Sequence, residues 1–324
     1  MPSLFERRLL VVTGKGGVGK STLSAALASA AHAQGKRVLV CEVGMTRRLP
    51  PLLGAPTGGT DRDAMLEVRP GLFTQAIRPE PAMREYALMK LKFQTIYRAV
   101  FENRLVRAFL RMIPSLAETV VLGKVWFEVQ AREGSGWRWD LVILDAPATG
   151  HGISLLRVPQ TLLETLPPGA MRDDAEQMHA TLTDPKTTSL QIVTLPEETP
   201  VVEAIELFGQ VRDDLQIPVG QIFLNSFHEQ RFDEAATARF EEALAAAGRK
   251  ISPAAAIAAV SLHQIRRAER SAQLRQRLEV QLPGVPVHLL PYLALPTWGP
   301  EAIELLAREI RPERVREYPE VPTP

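Results

Sequence analysis

Residues 11–23 read VVTGKGGVGKSTL, and they hold the residue types that grip phosphate. Gly14, four residues, then Gly19-Lys20-Ser21 follow a β-branched run and open an alanine-rich segment. Glycines at this spacing let the backbone N–H groups of Gly14, Lys15, Gly16, Gly17, Val18, Gly19, Lys20, Ser21 and Thr22 turn inward around phosphate oxygens. The start of the following helix adds a partial positive charge. Lys20 is placed to reach the β- and γ-phosphates, and the Ser21 hydroxyl to ligate Mg²⁺. Such a loop needs one lysine, and this one has a second, Lys15.

A loop of this kind needs a strand before it and a helix after it. LLVVT (9–13) reads as a buried strand, STLSAALASAAHA (21–33) as a helix and RVLVCEV (37–43) as the next strand, parallel to the first with a right-handed crossover. Further strands are expected at 71–77, 139–145, 189–195, 220–225 and 285–290. Helices are expected near 199–215, 232–247, 254–279 in pieces, and 299–311. Alternating strands and helices predict an α/β fold, a doubly wound and mostly parallel sheet. Residues 80–132 alternate apolar and basic residues at helical spacing and are read as a helical subdomain inserted into a single domain spanning 1–324. The segment 312–324 is a Pro-rich, charged tail.

Composition narrows the classes. The 38 basic and 37 acidic residues leave a net charge of +1, which gives no global pull toward nucleic acid or an anionic membrane. The single cysteine, Cys41, rules out a disulfide framework within one chain and suits a reducing, cytoplasmic setting. The first ten residues run directly into the first strand and predict no signal peptide, and no run is apolar for long enough to span a membrane.

KGGVGKST is the deviant form of the phosphate loop, and here the chain resembles the ArsA-like family of P-loop ATPases. That family includes the arsenite-pump ATPase and the ATPase that delivers tail-anchored membrane proteins, with MinD and ParA as more distant relatives. The resemblance extends to DAPATGHGISLLRVP (145–159), which is similar to the second switch, to LPEETPVVEAIEL (195–207), to FLNSF around Asn225 and to PYLALPTWGPEAIELL (291–306). It implies a P-loop core that binds ATP with Mg²⁺ and closes as a homodimer, or as a heterodimer with a paralogue. Lys15 is then implied to reach the partner's nucleotide and Asp145 to hold Mg²⁺ through water. Gly150 gives the second switch its backbone freedom, and Asn225 reads adenine through its amide. His151 either senses the nucleotide or caps a turn.

The chain departs from that pattern in three places. In CEVGMTRRLPPLLG (41–54) the aspartate that orients water in hydrolysing members is missing, and Glu42 is the only acid. Glu42 either takes over that role or orients the loop. Arg47 and Arg48 either contact phosphate or a partner, or form a solvated pair. One cysteine cannot build an arsenite site, and no Cys-x-x-Cys zinc clasp exists. The expected function is therefore a slowly hydrolysing ATP-driven dimeric switch that handles a client or partner protein. The alternatives are a MinD- or ParA-like positioning ATPase, and an ATP-locked dimerisation module without turnover. The arginine-rich stretch HQIRRAERSAQLRQRL (263–278) reads either as a phosphate-tracking face or as a solvated helix face.

Overall fold

The computed structural model describes residues 4–44, 47–56, 65–83, 116–248 and 252–310. Strand β1 (Leu9–Thr13) runs into the glycine loop, then come α1 (Lys20–His32) and β2 (Val38–Val43). A one-turn helix α2 (Leu49–Leu52) precedes β3 (Leu66–Arg69) and β4 (Leu72–Ile77). Helix α3 (Leu116–Gln130) leads to a small hairpin, β5 (Arg132–Glu133) and β6 (Gly136–Trp137), and then to β7 (Leu141–Asp145). Helices α4 (Thr149–Thr165) and α5 (Ala170–Thr183) precede β8 (Thr188–Thr194) and α6 (Glu198–Gly209). The chain closes with β9 (Val219–Phe227), α7 (Glu234–Ala247), α8 (Pro253–Gln281), β10 (Val287–Pro291) and α9 (Pro300–Ile310).

Eight strands form one sheet in the order β10-β9-β8-β1-β7-β2-β4-β3. Every neighbouring pair is parallel except β3 with β4, an antiparallel edge. The doubly wound α/β expectation holds. β1 shows why its apolar run has no polar face: Leu9 and Val11 enter the core on one side of the sheet, Leu10 and Val12 the core on the other. The second side is covered by α1 and α9. Alanines 25, 26, 28, 30 and 31 of α1 are all fully buried, and their small side chains let the helix lie close to the sheet. Successive strands leave β1 in opposite directions, so a crevice opens beyond its carboxyl end, where the glycine loop sits.

Three helices and three strands differ from the sequence reading. α4 and α5 were not anticipated, because α4 opens on Thr149-Gly150-His151-Gly152 and carries Pro159, all of which read as loop. α8 is one continuous helix of 29 residues rather than pieces, started by the Ser252 hydroxyl, which accepts from Ala255 N, and by Pro253 at its first position. The edge strand β3 and the β5–β6 hairpin are additions.

Of the segment read as an insert, residues 84–115 lie outside the described residues, as does the tail 312–324. The described end, α3, buries Val120, Val121, Leu122, Val125 and Val129 in the main core. Its Glu128 is also buried, taking an ion pair from Lys124 at 3.2 Å and a hydrogen bond from the Trp139 indole at 3.0 Å. Cys41 is fully buried beside them, and burial followed by the Glu128 charge pushes its thiol pKa up.

Candidate nucleotide-binding site

The loop between β1 and α1 is held open by its backbone. Gly14, Gly17 and Gly19 have φ of 150°, 86° and 98°, a region that favours glycine. Gly14 also lies under β8: a Cβ there would stand 2.3 Å from the Val193 carbonyl oxygen. Gly19 lies under Asn225, whose Nδ2 would be 2.3 Å from such a Cβ. Val18 is the loop's buried anchor, and Asn225 Nδ2 donates to its carbonyl at 2.9 Å. Asn225 Oδ1 accepts from Ser226 N at 2.9 Å, and Ser226 takes an unusual positive φ of 57° to permit it. In this structure the Asn225 amide thus clamps the loop, a role its sequence position did not suggest.

The two lysines diverge. Lys20 folds into its own loop, donating to the carbonyls of Gly14 at 3.1 Å and Lys15 at 2.8 Å. Burial lowers its pKa, opposed by the Asp145 charge and reinforced by that of Arg48. Lys15 turns outward to Glu203 on α6, Nζ to Oε1 at 2.7 Å, with both side chains about one-third exposed. A half-exposed pair of this kind is worth about 0–1 kcal/mol. Glu203→Gln is accordingly expected to change the urea unfolding free energy by less than about 1 kcal/mol; a larger loss would mean that the pair is structural.

Asp145 ends β7 beside the loop. Ser21 donates to its Oδ2 at 2.6 Å and Ser24 to its Oδ1 at 3.1 Å. Burial raises its pKa, against the pull of those two hydroxyls and of the Lys20 and Arg48 charges. Ser21 and Asp145 form an all-oxygen pair of the kind Mg²⁺ prefers, already in contact at the loop's helix end. The Thr13 hydroxyl, buried at the carboxyl end of β1, has no partner among the described residues.

Glu42 is the register partner of Asp145 on the adjacent strand. Its carboxylate is 5% exposed and accepts from Arg48 N at 2.8 and 3.0 Å and from Leu49 N at 3.4 Å. It therefore caps the start of α2, which is the loop-orienting alternative. Burial, with the Asp145 charge adding to it, outweighs those two backbone bonds and the Arg48 charge, and lifts its pKa to about 7. In the native state the proton is held up to about pH 7, against about 4.5 in the unfolded chain. Glu42 therefore supports folding below about pH 4.5, and that support is lost as pH rises toward 7. The wild type is expected to lose about 2 kcal/mol more than Glu42→Gln between pH 4.5 and 7.5, measured by urea unfolding at both pH values; equal losses would contradict it.

Arg48 is exposed, and its charge acts on Lys20, Glu42 and Asp145. Gly150 lies in the first turn of α4 with open space around it. The close-packed glycine is Gly152, where a Cβ would sit 2.9 Å from the Pro147 carbonyl oxygen and 3.3 Å from Thr13 Oγ1. His151 is exposed on that turn. Gly16 and Thr22 lie in the loop and the first turn of α1 as expected.

Residues 7–167, which contain the loop, Glu42 and Asp145, match the family model described as anion-transporting ATPase, ArsA type. Over these residues, just under half of its length, the chain is similar to the ArsA-like P-loop ATPases. It is 29% identical over 221 residues to the ATPase BagA of Mycobacterium tuberculosis, a match covering 67% of this chain and 64% of that protein. The arsenical pump-driving ATPase of Acidiphilium multivorum is 29% identical over 199 residues, 57% of this chain and 33% of that protein. A putative arsenical pump-driving ATPase of Halobacterium salinarum is 26% identical over 236 residues, 68% of this chain and 35% of that protein. The chain thus spans a little under two thirds of the mycobacterial relative and about a third of the two pump-driving ATPases.

Proposed function

We propose that this ArsA-like chain hydrolyses ATP slowly and closes as a dimer around it, coupling closure to the binding of a client or partner protein. The observation that carries the reading is the division of labour between the two lysines. Lys20 is locked into its own loop, whereas Lys15 sits on the rim, held only by a surface ion pair. Exchanging Glu203 for a neighbouring subunit's phosphate costs little, so Lys15 is free to serve as a trans-acting cation.

Within one subunit, the loop N–H groups and Lys20 bind and orient the triphosphate, and Arg48 adds positive charge from the first switch. Ser21 and Asp145 are the residues that would hold Mg²⁺, which when bound neutralises charge on the β- and γ-phosphate oxygens. Glu42 fixes the backbone of the first switch. Because its oxygens are engaged there, no described acid of that switch is available to orient water, which supports slow turnover. Arsenite is not the proposed cargo, since a lone buried thiol cannot make a soft-metalloid site. Among the described residues no helix is long and apolar enough to cross a membrane, and no cluster of metal ligands suggests a zinc clasp. The reduced, buried thiol fits a cytoplasmic setting.

Single-turnover phosphate release, with size-exclusion runs in a non-hydrolysable ATP analogue and in ADP, tests this reading. Lys15→Ala is expected to bind ATP but to lose nucleotide-dependent dimerisation and most turnover. Unaltered behaviour of that variant would return Lys15 to a surface role, and a wild-type rate equal to the Lys20→Ala control would leave an ATP-locked binding module.

A further inference from the structure

A second basic site lies beyond the carboxyl ends of β8, β9 and β10, on the α8 side of the sheet and outside the glycine loop. A cleft of about 610 Å³ is lined by the 195–200 loop, Ser226, His228, His263, Arg267, Arg270, Ser271 and Tyr292. A smaller cavity of about 280 Å³ shares His228, His263, Arg267 and Tyr292 with it. His263, Arg267 and Arg270 fall at i, i+4 and i+7 on α8, so one helix face presents all three. His228 is fixed opposite them. Its ring stacks on Tyr292 with centroids 4.6 Å apart, and its backbone N–H donates to Ser271 Oγ at 3.4 Å. Arg267 lies 5.4 Å from the Tyr292 ring centroid.

Three observations mark this as a place for an anion. Among the described residues, Arg267 and Arg270 make no ion pair, whereas Arg275 and Arg277 farther along α8 are paired to Glu279 and Glu198 at 2.7 and 2.6 Å. The buried His228 Nε2 has no hydrogen-bond partner among the described residues. The positive charges also converge: burial first, then Arg267, Arg231 and His263, lower the pKa of His228. Two carboxylates, Glu197 and Glu198, also line the cleft, and Arg277 neutralises Glu198.

We infer that this cleft binds a small polyanion, a molecule carrying a diphosphate group, held by Arg267, Arg270, His263 and His228. A nucleic-acid backbone is the poorer fit, because Arg275 and Arg277 of the stripe are paired to carboxylates and only Arg267 and Arg270 line the cleft. One wall of the cleft, 195–200, leads directly into α6, which carries Glu203, the partner of Lys15. Occupancy of the cleft is thereby placed next to the element that holds the rim lysine.

The test uses the full chain with ¹³C-labelled histidines and inorganic pyrophosphate as probe. The chain has six histidines, each assignable by substitution. The His228 and His263 resonances are expected to shift saturably, both in wild type and in Lys20→Ala, where the glycine loop is disabled. In Arg267→Gln/Arg270→Gln the half-saturation concentration is expected to rise more than about tenfold, with ATP affinity and thermal unfolding unchanged. Arg270→Gln alone provides a milder version of the same measurement. Absence of the shifts, their loss in Lys20→Ala, or their indifference to the arginine variants would overturn the site. So would a single-stranded oligonucleotide that moved the same resonances at lower concentration than pyrophosphate, which would make the face a nucleic-acid surface.

Discussion

Lys20→Ala is expected to lower ATP turnover about 100- to 1,000-fold and to weaken ATP binding markedly, while the protein stays folded. The ammonium group is already in place. It donates to the two successive carbonyls of Gly14 and Lys15 at the start of its own loop, and the Asp145 charge acts on it. A cation preorganised in this way stabilises transferring phosphate without moving at the moment of reaction. Partial burial strengthens that action by removing competing water. Phosphate release with excess ATP and a fluorescent-nucleotide titration measure the two effects. A variant within threefold of wild type in turnover would mean that the loop is not the seat of chemistry.

Gly14→Ala is expected to cost about 3 to 5 kcal/mol of folding stability and to abolish nucleotide binding as well. Two penalties coincide there. The backbone at φ 150° lies in a region costly for a side chain, and the added methyl would stand 2.3 Å from a carbonyl oxygen of β8. Val193 belongs to a fully buried strand paired on both sides, so it has no room to withdraw. Gly16→Ala is the control: its Cβ would meet nothing nearer than Ala148 Cβ at 3.9 Å, and a cost under about 1 kcal/mol is expected. Urea unfolding of the pair settles the point; similar values for both would show that the loop relaxes freely.

The local parts of the site were legible in the sequence, since glycine spacing, an apolar strand before it and an alanine-rich helix after it are all encoded within 25 residues. Asp145 was legible too, as an acid ending an apolar run. The contacts that tune these residues were not. Lys15 meets Glu203 across 188 positions, and Asn225 meets the Val18 carbonyl across 207. Only the order in which strands assemble brings such residues together. The pairing of Glu42 with Asp145 depends on β7 lying between β1 and β2, which no spacing announces. The helical state of 149–165 was masked by two glycines and Pro159, which tertiary burial of Gly152, Leu155, Leu156 and Val158 overrides. The resemblance directed attention to Gly150, whereas close packing singles out Gly152 two residues later.

The buried thiol of Cys41 has a practical consequence. It is the chain's one cysteine, inaccessible to solvent and held protonated, so a maleimide dye finds nothing to react with in the native protein. The natural sequence is thus already a silent background for site-specific labelling. A single cysteine introduced at exposed Ser154, on α4 within the second-switch segment, would carry the only reporter in the molecule. Its fluorescence could follow the nucleotide cycle of the intact chain without any native residue being removed first.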